Sequence, residues 1–242
     1  MNFKFSRLVD NPNEQRVLIV DFNPPKSCNF NCLYCQLGPT TNMINERKMF
    51  FPVKEILEEI KQVFEEEGVP DITILTGSGE PSLYSGLGKL IDGIRDLNSK
   101  TRIKVVTNGT FLHDRKLRRE ISKSHIIQLN IDTVVPEEAE IINRHHKGVK
   151  LDYILEGALS LALKYEGLFN VNVKIIDGVN DSLENIDKMW RLLQRLQPSS
   201  VEIGEIKPFK AIEEHENVSP EFTRMVKNIW KDLPFNVQYN FQ

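Results

Sequence analysis

The chain has 242 residues, 40% of them apolar, and 31 Lys and Arg set against 34 Asp and Glu give a formal charge of -3. That length suits one domain spanning residues 1–242, large enough to bury a substantial core and compatible with an α/β barrel. Cations and anions are interspersed, so a broad basic footprint of the kind phosphate binding requires is excluded, and a nucleic-acid partner finds no support beyond a local basic patch.

No stretch approaches the roughly 18 apolar residues of a membrane span, and the mixed, charged residues 1–10 lack an apolar signal core. The three cysteines stand close together and are odd in number, which speaks against a disulfide framework and for a reducing compartment. A cytoplasmic protein without a membrane partner is the expectation.

In chain order, the first apolar, β-branched run is residues 16–21 (RVLIVD). Residues 22–51 show no clear periodicity and read as one long loop. A helix follows over 53–67, where Ile56, Leu57, Ile60, Val63 and Phe64 recur at helical spacing, with Pro52 suited to its first turn and Gly68 to its end. Strand two is 71–76 (DITILT), and a helix over 87–97 leads to strand three, 102–107 (RIKVVT). A short charged helix at 114–121 precedes strand four, 125–131 (HIIQLNI). Helices from Pro136 and over 151–165 lead to strand five, 170–176 (NVNVKII). Asp181 and Ser182 open a helix to Leu196, before strand six at 200–206 (SVEIGEI). Residues 220–230 form a last helix, and 235–241 an extended tail.

Strands alternating with helices call for parallel βα units, arranged as a partial or full barrel or as an open doubly wound sheet. The polar motifs discriminate. The cysteines follow strand one, Gly77-Ser78-Gly79-Glu80-Pro81 strand two, Thr107-Asn108-Gly109 strand three and Asp132-Thr133 strand four. The run from Asp177 to Asp181 and Lys207-Pro208-Phe209 follow strands five and six. Sites at the C-terminal end of every strand mark the functional face of a barrel, whereas a doubly wound sheet gathers them at its switch point. A partial (β/α)6-type TIM barrel of parallel strands over about residues 16–209 is therefore predicted, followed by a C-terminal helix and tail over 219–242.

Cys28, Cys32 and Cys35 form C-x3-C-x2-C in the long loop. Three thiolates can close around one metal centre, and no further cysteine exists to complete it. Structural zinc sites and ordinary iron–sulfur carriers use four protein ligands, so a three-thiolate centre leaves one coordination position open to a small molecule. Two plainer readings stand beside this one: three thiols that pack, and a zinc site completed by one of the five histidines.

The cysteine run Asn31-Cys32-Leu33-Tyr34-Cys35-Gln36-Leu37-Gly38, together with the turn from Thr76 to Leu83 after strand two, resembles the radical S-adenosylmethionine superfamily. Within it, these motifs look like those of the short iron–sulfur oxidoreductases grouped with the wyosine-forming tRNA enzymes. The resemblance implies that Cys28, Cys32 and Cys35 hold a [4Fe-4S] cluster whose fourth iron is chelated by S-adenosylmethionine. It places Tyr34 near the adenine, and Gly77, Ser78 and Gly79 against the methionine amino group, because glycines let backbone approach closely. Glu80 would fix that turn. Asn108 and Asn130 would reach the ribose or the methionine carboxylate, or else stabilise their own turns. Asp132 would serve a substrate or the ribose. Lys174 would pair with the methionine carboxylate if its strand register turns it inward. The polar turn at 143–148 reads as a solvated loop rather than part of the mouth.

The implied reaction takes one electron from a reduced flavodoxin or ferredoxin and cleaves S-adenosylmethionine to methionine and a 5'-deoxyadenosyl radical. The radical then abstracts hydrogen from a substrate, for which a modified nucleoside or RNA base is one expectation; no catalytic side chain is assigned. The second cluster of the wyosine enzymes has no cysteines here. Two alternatives are a glycyl-radical-enzyme activating protein and a non-catalytic iron–sulfur or zinc-binding module.

Overall fold

The computed structural model describes residues 3–10, 15–208 and 217–241. Phe209, expected to follow the sixth strand, lies outside the described residues, as do the first two residues of the N-terminal segment.

The described chain begins with β1 (Ser6–Asp10) and β2 (Arg16–Val20), then the two-residue strands β3 (Ser27–Cys28) and β4 (Asn42–Met43) inside the long loop. There follow α1 (Val53–Glu66), β5 (Ile72–Leu75), α2 (Leu87–Leu97), β6 (Arg102–Thr107), α3 (Arg115–Ile121), β7 (Ile126–Asn130), α4 (Pro136–Ile142) and α5 (Leu151–Ala162). The chain continues through β8 (Leu168–Ile175), α6 (Leu183–Leu196), β9 (Ser200–Glu205), α7 (Pro220–Ile229) and β10 (Asn236–Asn240).

Eight of these strands form one sheet in the order β1-β2-β5-β6-β7-β8-β9-β10, while β3 pairs only with β4. The order follows the chain without reversal, which is barrel winding and not the doubly wound alternative. From β2 to β10 every pairing is parallel, and β1 alone runs antiparallel, against β2. The sheet stays open, with β1 and β10 as its edges. Both edge strands go beyond the six strands expected. The residues that form β1 read as a mixed, charged segment, and β10 forms from the extended tail.

The alternation of side chains explains where the core sits. Leu18, Val20, Leu75, Ile103, Val105, Ile127, Leu129, Val171, Val173, Ile175, Val201 and Ile203 are buried on the convex face, against helices such as α2, whose Leu87, Leu90, Ile91 and Ile94 are fully buried. Each such side chain contributes about 1.5–3 kcal/mol of burial. Positions in the opposite phase turn to the concave face, where a closed barrel would stack bulky branched side chains. On the strands from β6 onward that face is largely polar: Lys104, Gln128, Asn130, Asn170, Asn172, Lys174 and Glu202, most of them only half-buried. The register thus settles the direction of Lys174, which shares the inward face with Asn170 and Asn172. Among the described residues no helix is long and apolar enough to cross a membrane.

Candidate active site

The long loop after β2 folds back over the C-terminal end of the sheet. Ser27 forms a parallel bridge with Gly79, so the backbone leading into Cys28 lies beside the turn that follows β5. Two glycines permit this. A Cβ on Gly79 would stand 1.8 Å from the Ser27 carbonyl oxygen, and one on Gly77, whose φ is +136°, would stand 2.1 Å from Cγ of Asp21. The close approach therefore includes the protein's own chain as well as any ligand.

Cys28, Cys32, Cys35, Tyr34, Gly77, Gly79, Glu80, Asn108, Asn130 and Asp132, which the sequence singled out, line one cavity of about 190 Å3. Ser78 and Lys174 do not. Ser78 turns to Asp21, whose Oδ2 accepts from its backbone N–H at 2.8 Å and its hydroxyl at 2.5 Å, and the residue lines the smaller space of about 90 Å3 on the other side of the cysteines. Lys174 contributes its backbone N–H, which donates to Asp132 Oδ1 at 3.0 Å.

Two buried carboxylates organise the cavity. Glu80, 3% exposed, accepts from Ser82 N–H, the Thr107 hydroxyl and Asn108 N–H at 3.0, 2.5 and 2.8 Å, tying the turn after β5 to the end of β6. Asp132, 2% exposed, accepts from the Tyr34 hydroxyl at 2.6 Å, from Asn143 Nδ2 at 2.7 Å and from Lys174 N–H. Burial raises both carboxyl pKa values above the usual range, and the hydrogen bonds they accept oppose that rise. Asp132 is thus committed to its own protein, and so is the Tyr34 hydroxyl that was expected near an adenine. Asn108 accepts at Oδ1 from the Thr110 N–H and hydroxyl, the turn-stabilising role weighed for it, while its Nδ2 donates to Asn29 Oδ1 at 2.8 Å. Asn130 Oδ1 accepts from Gln128 Nε2 at 2.9 Å.

The segment at 143–148 departs from the solvated loop expected of it. Asn143 is buried and lines the cavity, and its Nδ2 lies 3.5 Å from Cys32 Sγ as well as bonding Asp132. Its carbonyl accepts from Asn31 N–H, Arg144 Nε donates to Asn31 O at 2.7 Å, and His146 N–H donates to Asn29 O, so this turn clamps the cysteine loop. Asp21, Asn29 and Asn143 are the residues that sequence reasoning missed. Asp21 closes the first strand run and was visible there as a polar end; Asn143 stood in the polar turn read as solvated, and Asn29 carried no local signal.

The donor set fits an iron–sulfur cluster. Burial, then the charge of Glu80, pushes the Cys28 thiol up to about 12, and burial with Asp132 pushes Cys32 higher still. A cationic centre reverses that preference by binding the thiolates. Donors to sulfur are in place: Phe30 N–H lies 3.4 Å from Cys28 Sγ, alongside Asn143 on Cys32, and hydrogen bonds to sulfur tune such clusters. Asn29 Nδ2, next in the chain, is buried without a partner. Among the described residues no three His, Cys, Asp or Glu form a group suited to a single metal ion.

The sequence profile of the radical SAM superfamily matches residues 22–193. The chain belongs to the radical SAM superfamily. It is an enzyme, and the cofactors of these enzymes are a [4Fe-4S] cluster and S-adenosylmethionine. A UPF0026 protein of Synechocystis sp. is 33% identical over 178 residues, 74% of this chain and 65% of that protein. A GTP 3',8-cyclase of Tolumonas auensis is 27% identical over 207 residues, 85% of this chain and 59% of that one. The chain thus spans less than two thirds of the length of these curated relatives. Among solved structures, a radical SAM methyltransferase from Sphaerobacter thermophilus superposes with a TM-score of 0.68 at 17% identity, over 96% of this chain and 68% of that one. A TYW1 structure with a lysine-pyruvate adduct bound gives 0.61 at 18% identity, over 89% and 73%. These two show the shared fold.

Proposed function

We propose that this radical SAM enzyme holds its cluster on Cys28, Cys32 and Cys35 and its S-adenosylmethionine along Gly77, Gly79 and Asn130. The observation that carries this reading is the convergence of the three thiols and the glycine turn on one cavity, fastened by the Ser27–Gly79 bridge. Glu80, Asp132 and Asn108 act as positioning residues: they fix the turns after β5, β6 and β7 through bonds within the protein. When bound, the two cofactors supply one-electron reductive cleavage of a sulfonium and hydrogen abstraction from a substrate.

The chain's own residues bind, orient and keep water out. Phe30, Val149 and Ile154 pack as an apolar cluster against Cys28 and Cys32, and this dry side protects an oxidation-prone centre. The polar concave face, with Gln128, Asn172 and Glu202, supports a small hydrogen-bonding substrate such as a nucleoside or RNA base. A reduced flavodoxin or ferredoxin as electron donor, a cytoplasmic setting and a single domain belong to the same proposal.

The test is electron paramagnetic resonance on anaerobically reconstituted, dithionite-reduced protein with and without S-adenosylmethionine, followed by a 5'-deoxyadenosine assay. A [4Fe-4S] signal that changes with the nucleotide, together with loss of iron and of product in Cys28→Ala, Cys32→Ala and Cys35→Ala, supports the assignment. Full iron content in any one of these variants removes that cysteine from the ligand set.

A further inference from the structure

On α1, α6 and α7 five exposed cations are matched about one turn away by carboxylates, Lys54 with Glu58, Lys61 with Glu65, Lys188 with Glu184, Arg191 with Asp187 and Arg224 with Glu221, while among the described residues one on α6 and one on α7, Arg195 and Lys227, are not. This is an ordinary solvated face. α3 differs. It carries Arg115, Lys116, Arg118 and Arg119, while its own carboxylate Glu120 and its capping Asp114 both turn to Arg47, at 2.6 and 3.9 Å. Arg47 thereby strips the helix of its counter-charges. Among the described residues, Arg115, Lys116, Arg118 and Arg119 are left with no carboxylate at salt-bridge distance.

The helical wall opens at the same place. α1 and α2, α2 and α3, α5 and α6, and α6 and α7 pack directly, whereas between α3 and α5 runs a groove of about 450 Å3. Arg115, Arg118, Arg119 and Lys164 line it together with the hydroxyl residues Ser122 and Ser160, and no carboxylate does. Glu156, one turn before Ser160 on α5, lies outside the lining. Arg115 and Arg119 stand four residues apart, roughly 6 Å along the helix, close to the step between phosphates of an extended strand.

Exposed rings, Tyr153 and His113, and the half-buried ring of Phe111 gather at the N-terminal ends of α3 and α5, beside this groove. Lys150 Nζ sits 5.3 Å from the Tyr153 ring, which lies 5.8 Å from His113, itself 6.1 Å from Phe111. The next residue after Tyr153, Ile154, packs with Phe30 beside Cys28 and Cys32. Cations interleaved with exposed aromatic faces suit a nucleic-acid strand better than an acidic peptide, because every base offers a face to stack.

We infer that the α3–α5 groove and the Tyr153–His113 step form a docking track for single-stranded nucleic acid, phosphates on the groove cations and a base on Tyr153. The track delivers a strand toward the rim of the cavity. It rests on the charge and shape of the helical wall and stands whether or not the cysteine assignments hold. The whole-chain charge of -3 hid it, since a sum over the chain offsets the α3 cations against carboxylates elsewhere.

The experiment is fluorescence anisotropy of the full chain with labelled single-stranded RNA and DNA oligomers of mixed sequence, with polyglutamate as the competing polyanion. Binding is expected to weaken with salt at a log–log slope of about -3, for four phosphate contacts on a single strand. The triple change Arg115→Glu, Arg119→Glu, Lys164→Glu should lower affinity at least about tenfold and flatten that slope, and Arg119→Gln with Lys164→Gln should do so in part. Tyr153→Ala should weaken binding about fivefold at unchanged slope. Lys54→Glu with Lys61→Glu on α1 should change nothing. Tighter RNA than DNA, or the reverse, upholds the track and names the strand. Affinity unmoved by the triple change, or polyglutamate bound as tightly as the oligomers, overturns it; matching thermal melts establish that the variants are folded.

Discussion

Gly79 and Gly178 separate two reasons for a glycine. At Gly79 an added methyl would meet the Ser27 carbonyl, while Gly178 has a φ of +67° and open space around its Cβ position. Gly178→Ala should therefore cost only the left-handed backbone penalty, about 1–2 kcal/mol. Gly79→Ala must separate the cysteine loop from the turn after β5, costing at least about 2 kcal/mol by urea unfolding and lowering iron uptake on reconstitution. If the two variants unfolded alike, the Ser27–Gly79 bridge would have no energetic weight. Asp132 gives a second contrast. Asp132→Asn keeps its size but turns an amide toward Tyr34, Asn143 or Lys174, all of them donors here. A loss of about 1–3 kcal/mol is expected, together with a shifted cluster absorbance spectrum, because Asn143 also faces Cys32. Asp132 as a polar strand end was legible in the sequence; its partners, from 11 to 98 residues away, were not.

Helices and strands were read well wherever the pattern was local. α2 occupies the residues expected of it, and Ser182 caps α6 by accepting from Asn185 N–H at 3.0 Å. Expectations weakened where partners decide. α5 ends at Ala162, short of the Tyr165 expected from its apolar spacing, because Tyr165 instead donates its hydroxyl to the Ser124 carbonyl and faces the strand layer. At the entrance to β7, His125 Nδ1 accepts from Ile103 N–H at 3.0 Å and so helps set the β6–β7 pairing. Only the neutral ring can accept there. Burial and then the cations Arg95 and Arg102 hold its pKa below the usual value. The unfolded chain therefore binds the proton more readily than the folded one, so this contribution is present above the unfolded pKa of about 6.5 and is lost as pH falls through the lower folded value. Denaturant midpoints should drop from about pH 7.5 to about pH 5, and by less in His125→Gln than in the wild type; an equal drop in both would exclude this histidine.

Across the whole molecule, one buried apolar cluster runs from Phe5 through the strands to Leu233 and includes residues of every helix except α4. A single cooperative unfolding transition is expected by fluorescence and by circular dichroism together, and two separated transitions would divide the chain into two domains. The sequence by itself determined the parts governed by short spacing. These are the superfamily, through three cysteines within one loop and a glycine turn after the second strand, and the parallel βα units, through hydrophobic period and helix caps. Tertiary structure alone decided what meets across the chain. β1 and β10 became sheet edges because β2 and β9 offered unpaired backbone, and residues 6–10 carry too little alternation to announce it. Asn143 reached the thiols because its turn clamps onto Asn31. Among the described residues, four cations on α3 have no carboxylate partner, Arg118 donating instead to the Leu112 and His113 carbonyls, because Arg47, distant in sequence, takes Asp114 and Glu120. Local patterns record which face of an element is buried, whereas partners far apart along the chain are chosen by packing, which sequence periodicity does not encode.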